Sequence, residues 1–133
     1  MYPVDYIIFY EHISREWEGV LRLHNILKER GLSGCILPIH YWKNIRVLIF
    51  KPKIVVTPFL YKESNTQHID YDQLYGNVIC LDLHSEQIID ETTKNMRGPQ
   101  DKYAREVEHI CWGECFAKSL VQNGVDKLSL IHI

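Results

Sequence analysis

The stretch LDLHSEQI, residues 81–88, ends an apolar run in a cluster of polar side chains. The cluster consists of His84, Ser85, Glu86 and Gln87. An imidazole and a carboxylate are groups that enzymes use to take a proton from a hydroxyl. A plain alternative is a helix start, with Ser85 as the N-cap and Glu86 favoured by the helix dipole. The residues alone leave both interpretations open.

Further polar or turn-forming residues follow other apolar runs of the chain. They are Glu11, Arg15 and Glu16 after the first run, Lys62 after the third, and Trp112 with Gly113 after the fifth. Glu11 and Arg15 are also spaced for a surface ion pair, which is the commoner fate of such residues. Trp112 is equally consistent with a core aromatic residue at a turn.

Metal and cofactor chemistry is weakly indicated. His109, Cys111 and Cys115 are close enough in sequence to touch a metal, but no second cysteine pair completes a zinc site. Asp82 and His84 lie two apart on one predicted strand and share a face, which allows a small hydrogen-bonded pair. The chain has no dinucleotide-binding glycine motif, P-loop or G-x-S-x-G elbow. We therefore predict no metal site and no cofactor.

Composition indicates a globular domain of ordinary size. The 133 residues are 46% hydrophobic and 24% charged, with a formal net charge of −2. This charge gives no basic field for nucleic acid, so we expect no nucleic-acid partner. No apolar stretch approaches the roughly 20 residues that span a bilayer, and the N-terminus is typical of a strand rather than a signal peptide. We expect a cytoplasmic protein with four reduced cysteines.

The hydrophobic pattern alternates between strands and helices. Strands are predicted over residues 5–10, 34–40, 54–60, 77–83, 107–111 and 128–133. One helix is predicted from an N-cap at Ser14 to a C-terminal glycine at Gly31. Another is predicted over residues 114–122, ended by Asn123-Gly124, and a short one over 44–50. This alternation predicts an α/β fold: a three-layer Rossmann-like domain with a mostly parallel sheet of about six strands flanked by helices.

A parallel sheet brings the carboxyl ends of its strands to one edge, where ligands of open α/β sheets bind. The polar groups that follow the strands therefore converge on one rim. The chain also stops inside an apolar run, whereas domains usually end in a solvated terminus. We expect residues 1–133 to be a single domain that forms the first half of a larger protein.

The order of motifs resembles the N-terminal half of bacterial capsule and lipopolysaccharide biosynthesis proteins with GT-B glycosyltransferase architecture. The matching pieces are YEHISRE, LKERG, PKIVVTPFLYKE, NVICLDLHSEQ and EHICWGECFAKSLVQNGV. The H-x-EQ step after the fourth strand and the later WG step are recurrent in that family. The resemblance covers nearly the whole chain, in the same order.

The resemblance implies an acceptor-side domain that works with a C-terminal donor domain beyond residue 133 and is inactive alone. It implies transfer from a nucleotide-sugar donor to a saccharide acceptor, without a bound metal. Its base candidates are Glu11, His84 and Glu86. Arg15 and Lys62 would bind a charged group of the acceptor or the phosphate of the donor. Gln87 would form a hydrogen bond to a sugar hydroxyl. Glu16, Trp112 and Gly113 would complete the substrate side of the cleft.

Two further partners are expected, the membrane surface and a second copy of the chain, and two rival functions remain open. A lipid-linked acceptor would bring the protein to the membrane surface, and a domain separated from its other half leaves an apolar patch that favours a homodimer. One rival is a stand-alone flavodoxin-like module that binds a small ligand or partner without turnover. The other is a small hydrolase or deaminase that uses Cys111 with His109, which requires an exposed thiol of low pKa.

Overall fold

The computed structural model describes residues 3–39, 49–58, 78–84, 105–111 and 113–132. Six strands form one sheet in the order β2-β1-β3-β4-β5-β6, and every neighbouring pair is parallel. The strands are β1 (Tyr6–Tyr10), β2 (Gly34–Pro38), β3 (Ile54–Thr57), β4 (Ile79–Asp82), β5 (Glu108–Cys111) and β6 (Leu130–His132). This confirms the predicted α/β Rossmann-like fold.

Strand β1 is apolar throughout because both of its faces are covered. Tyr6 and Ile8 pack with Val20 of helix α1 (Ile13–Glu29) on one face. Ile7 and Phe9 pack on the other face in a separate buried cluster. The continuous apolar run of β1 is the pattern expected for a strand buried on both sides.

Helix α1 begins without the predicted serine cap. The N-cap position is His12, which makes no side-chain capping bond, and Ser14 already lies inside the helix. The carboxylate of Glu16 instead reaches back to the backbone N–H of Glu11, at 2.6 Å. The predicted cap at Ser14 is therefore wrong, and the described side-chain bond at this helix start instead ties Glu16 to the backbone of Glu11, before the helix.

Both helices end as predicted, in a glycine with left-handed backbone. Gly31 follows α1 with φ 82°, and Gly124 follows helix α2 (Glu114–Gln122) with φ 93°. After α1, the N–H of Gly31 bonds to the carbonyl of Lys28 and the N–H of Leu32 to that of Leu27. These are the two bonds of the Schellman motif, which needs a residue that adopts positive φ without strain.

The remaining predictions differ mainly at strand ends. Pro38 closes the edge strand β2, as its missing N–H favours. All six strands are shorter than predicted, by one to three residues, and a 3₁₀ turn over Lys127–Ser129 precedes β6. Residues 44–48 of the short helix predicted over 44–50 lie outside the described residues. Residues 49–50 are described and helical.

Candidate functional site at the carboxyl edge of the sheet

The direction of chain crossing reverses beside β1. This strand pairs with β2 on one side and with β3 on the other, so the connections leaving β1 and β3 run in opposite directions. Ligands of open parallel sheets bind in the crevice that such a reversal creates. The residues that directly follow β1 are therefore the described ones best placed to line a ligand crevice.

An ion-pair network occupies the end of β1 and the first turn of α1. The Arg15 guanidinium lies 2.9 Å from a carboxylate oxygen of Glu11 and 2.7 Å from one of Glu16. The Glu16 side chain is only 3% exposed, whereas those of Glu11 and Arg15 are 18% and 35% exposed. A buried carboxylate needs such partners, because an unpaired charge is costly to remove from water. The network holds Glu11 and Arg15 where solvent and ligands reach them.

A second polar cluster lies at the end of β4 and is buried. Asp82 pairs in register with His109 of β5, and His84 follows two residues after Asp82. The backbone N–H of His84 donates to Asp82 Oδ1 at 2.8 Å. His84 Nε2 lies 2.7 Å from His109 Nδ1 and 3.6 Å from Asp82 Oδ2. The three residues are at most 2% exposed. We call them the Asp82–His84–His109 cluster.

Burial fixes the protonation of His84. Removal from water lowers the pKa of His84 to about 4, so its imidazole is neutral at pH 7. The edge of Phe116, on α2, packs against the His84 ring with centroids 4.9 Å apart. His84 is therefore covered by α2 and lies in the interior, below the carboxyl edge of the sheet. Its backbone is left-handed, with φ 50°, which is uncommon for a residue with a side chain.

The cluster has the makings of a metal site. One donor atom of each residue lies within 4.8 Å of the donor atoms of the other two. Among the described residues, these three side chains are the group that is close enough together to hold one metal ion. Asp82 and His84 are hydrogen-bonded through the His84 backbone N–H, whereas the His84 ring lies 3.6 Å from Asp82 Oδ2, beyond hydrogen-bonding distance. Cys111 is buried and Cys115 is exposed, and neither belongs to the cluster.

The structure places some predicted site residues and leaves others outside its described parts. Glu11, Arg15 and Glu16 form one network, and Gly113 is exposed at the N-cap position of α2. Lys62, Glu86, Gln87 and Trp112 lie outside the described residues. In the sequence, His109 is spaced to share a metal with Cys111 and Cys115. The contact of His109 with His84 depends on β4 and β5 being neighbours, which no local pattern specifies.

Comparison with known proteins gives no relative: no family model, curated protein or solved structure matches the chain. Among the described residues, no helix is both long enough and apolar enough to cross a bilayer.

Proposed function

We propose that this chain is the N-terminal, acceptor-side domain of a GT-B glycosyltransferase in surface-polysaccharide biosynthesis. It would transfer a sugar from a nucleotide-sugar donor, bound mainly by a C-terminal domain, to a saccharide acceptor. The proposal includes a cytoplasmic location, with attachment to the membrane surface through a lipid-linked acceptor. Its starting point is the succession of motifs from YEHISRE to EHICWGECFAKSLVQNGV.

The observation that carries the proposal is the Glu11–Arg15 pair beside the chain reversal at β1. The pair places a carboxylate and a positively charged guanidinium in contact at 2.9 Å, on the edge where parallel sheets bind ligands. Glycosyl transfer needs a base for the acceptor hydroxyl and positive charge near the phosphates that leave with the donor. Both kinds of group are present in this pair.

Among the three base candidates, Glu11 is the best placed of those described. Its carboxylate is partly exposed, whereas the Nε2 atom of His84 is buried and faces His109. We assign Glu11 the role of base and His84 a positioning role under the rim. Glu86 remains a candidate on the resemblance alone.

Arg15 has two roles in this proposal. Its Nε and one terminal nitrogen both contact the same oxygen of Glu16, at 3.1 and 2.7 Å. These contacts fix the plane of the guanidinium beside Glu11. Arg15 therefore orients Glu11 and offers charge to an acceptor or donor phosphate.

The test begins with the intact mass of the endogenous protein. A mass roughly two to three times that of this chain is expected if a donor domain of usual size follows. That protein is then assayed for sugar transfer from a panel of nucleotide sugars to lipid-linked and free oligosaccharide acceptors. Glu11→Gln is expected to lower kcat by roughly 10²- to 10⁴-fold, the usual contribution of a general base.

A matched control comes from the same helix. Glu18 is exposed on α1, and Glu18→Gln is expected to leave kcat and KM unchanged. Absence of transfer with every donor, from an endogenous protein that is folded, would refute the glycosyltransferase proposal. Transfer that survives Glu11→Gln and is lost in Glu86→Gln would move the base to Glu86.

A second candidate function is a small-ligand-binding module. The order of β2-β1-β3-β4-β5 is the flavodoxin-like one. A groove of about 550 Å³ between α2 and β6 falls in the usual size range of small-molecule sites. Lys118 and Lys127 line this groove, so an anionic ligand suits it. Ligand binding by this chain without any transfer by the endogenous protein would favour this function.

A further inference from the structure

The Asp82–His84–His109 cluster brings three metal-binding groups together from two neighbouring strands. Asp82 and His109 are register partners in β4 and β5, and so their side chains lie on the same face of the sheet. His84, two residues beyond Asp82, returns to that face. The three residues have exposures of 0%, 2% and 0%. They therefore form one enclosed set of donors rather than a group of solvated surface side chains.

The three donor atoms lie within 4.8 Å of one another, and two of their separations are close to those around a single small ion. With metal–ligand bonds of about 2.0–2.1 Å in a tetrahedral site, neighbouring ligand atoms lie about 3.3 Å apart. Asp82 Oδ2 and His84 Nε2 are 3.6 Å apart, close to this value. His84 Nε2 and His109 Nδ1 are 2.7 Å apart, which is the length of an N–H···N hydrogen bond. An ion that replaces the shared proton needs these two nitrogens to separate by roughly half an ångström, a small rotation of either ring.

The carboxylate is already oriented for this role. Its Oδ1 atom accepts the backbone N–H of His84 at 2.8 Å, and its Oδ2 atom faces the His84 ring. Metal-binding carboxylates and imidazoles are commonly held in place by such outer hydrogen bonds. The backbone of β4 thus positions the ligand that supplies the negative charge.

The donor types select the class of ion. Two imidazole nitrogens and one carboxylate oxygen match Zn²⁺ and other first-row divalent ions, whereas Ca²⁺ and Mg²⁺ take six or more oxygen ligands. Three protein ligands leave one position of a tetrahedral ion for water or a further group. We infer that Asp82, His84 and His109 form a binding site for a divalent transition-metal ion of the Zn²⁺ class, which ties the end of β4 to β5. This inference is independent of glycosyl transfer.

The experiment uses the whole chain in a Cys115→Ser background, because Cys115 is an exposed free cysteine and thiolates are Zn²⁺ ligands. The protein is stripped with a chelator, and Zn²⁺ is added both to the folded chain and during refolding from denaturant. We expect one equivalent to bind and to raise the midpoint of thermal unfolding. Substitution of Co²⁺ is expected to give the visible absorption of a four- or five-coordinate site.

Variants identify the ligands. Asp82→Asn keeps the size of the side chain and an acceptor for the His84 N–H, and it is expected to lower Zn²⁺ affinity by roughly 100-fold or more. His109→Gln is expected to do the same. The matched control is His24→Gln. His24 lies on α1, bonded to the Tyr6 hydroxyl at 2.9 Å, and its loss is expected to leave Zn²⁺ affinity unchanged.

A measurement on the unsubstituted histidines covers the case in which the cluster variants fail to fold. Ring-nitrogen NMR signals of His84 and His109 are expected to move together when the first equivalent of Zn²⁺ is added. The inference is overturned if these two signals stay fixed while those of exposed histidines such as His12 move. It is equally overturned if no equivalent binds to folded or refolding protein, and the pair is then a hydrogen-bonded histidine dyad only.

Discussion

The carboxylate of Glu16 accepts the backbone N–H of Glu11, five residues earlier, at 2.6 Å. This bond joins the end of β1 to the first turn of α1. The same carboxylate also receives the Arg15 guanidinium, so one buried group serves the backbone and the ion-pair network together.

Loss of the Glu16 carboxylate should therefore destabilise the fold as well as the network. We expect Glu16→Ala to lower the free energy of unfolding by about 2 kcal/mol, the usual value for bonds to a charged group. Glu16→Gln, which keeps one acceptor oxygen, should cost less. Urea denaturation measures both. Glu18→Gln on the exposed side of α1 is the control, with a change within about 0.5 kcal/mol. Equal stability of the Ala variant and the wild type would show that the bond contributes nothing.

The buried carboxylate of Asp82 should matter to stability even without metal. In chelator, Asp82→Ala removes the acceptor of the His84 N–H from a site that water does not reach. We expect a loss of about 2–3 kcal/mol, since a buried donor is left unsatisfied. Asp82→Asn retains an oxygen acceptor and should lose clearly less. Chemical denaturation of the three proteins side by side checks this order, and a reversed order would contradict it.

The Asp5 carboxylate should make stability depend on pH in the acid range. It accepts the backbone N–H and hydroxyl of Ser33 and contacts Lys53 at 3.1 Å. The Ser33 N–H, first, and Lys53 lower the pKa of Asp5 below its ordinary 3.8. Because the folded pKa is the lower one, the contribution is complete above about 4 and disappears as the pH falls through the folded pKa.

Unfolding curves of wild type and Asp5→Asn should therefore differ at pH 7 and converge at the acid end. The wild type is expected to be the more stable protein at neutral pH. A difference that stays constant down to the lowest pH at which both proteins fold would mean that Asp5 is not responsible. High salt should reduce the share that comes from the exposed Lys53 ion pair.

Two glycine-to-alanine substitutions should have opposite signs. A Cβ atom at Gly34 would overlap the ring of Tyr6, which is buried and bonded to His24. We expect Gly34→Ala to cost about 1–3 kcal/mol, the range for overpacking. Gly19 lies in the middle of α1 with nothing near its Cβ position, so Gly19→Ala should stabilise by about 0.5–1 kcal/mol. Thermal unfolding of both variants tests the pair, and a matching sign would contradict the packing argument.

The cysteines should react with very different rates, which bears on the rival hydrolase or deaminase. Cys115 is exposed, whereas Cys111 is 1% exposed and burial raises the pKa of its thiol. A nucleophilic thiol needs the opposite environment. Alkylation followed by mass spectrometry is expected to modify Cys115 quickly and Cys111 slowly. Rapid modification of Cys111 in the folded chain would support the hypothesis of a hydrolase or deaminase that uses this thiol.

The sequence predicted elements that depend on local chemistry and missed contacts that depend on strand order. The run of β1 is readable because both faces are buried, and the ends of the helices because Gly31 and Gly124 take a conformation that other residues avoid. The N-cap prediction at Ser14 is wrong, because α1 begins two residues earlier, after His12, whose side chain makes no capping bond.

The contact between His84 and His109 illustrates what could not be predicted. The two residues are 25 positions apart, and their contact requires β4 and β5 to be neighbours with Asp82 opposite His109. An alternating pattern indicates which face a side chain takes, but not which strand lies beside it. The burial of His84 under α2 follows from that same arrangement and moves this residue from the rim to the interior.

The central position of β1 has a consequence for synthesis on the ribosome. β1 is synthesised before both of the strands that flank it, which are complete only at Pro38 and Thr57. At about 5–20 residues per second, the segment YIIFY waits several seconds before both of its edges are paired. During that time it is an apolar, β-prone segment of the kind that aggregates. Until β3 is complete, β1 can therefore pair with strands of other chains instead of with its own neighbours.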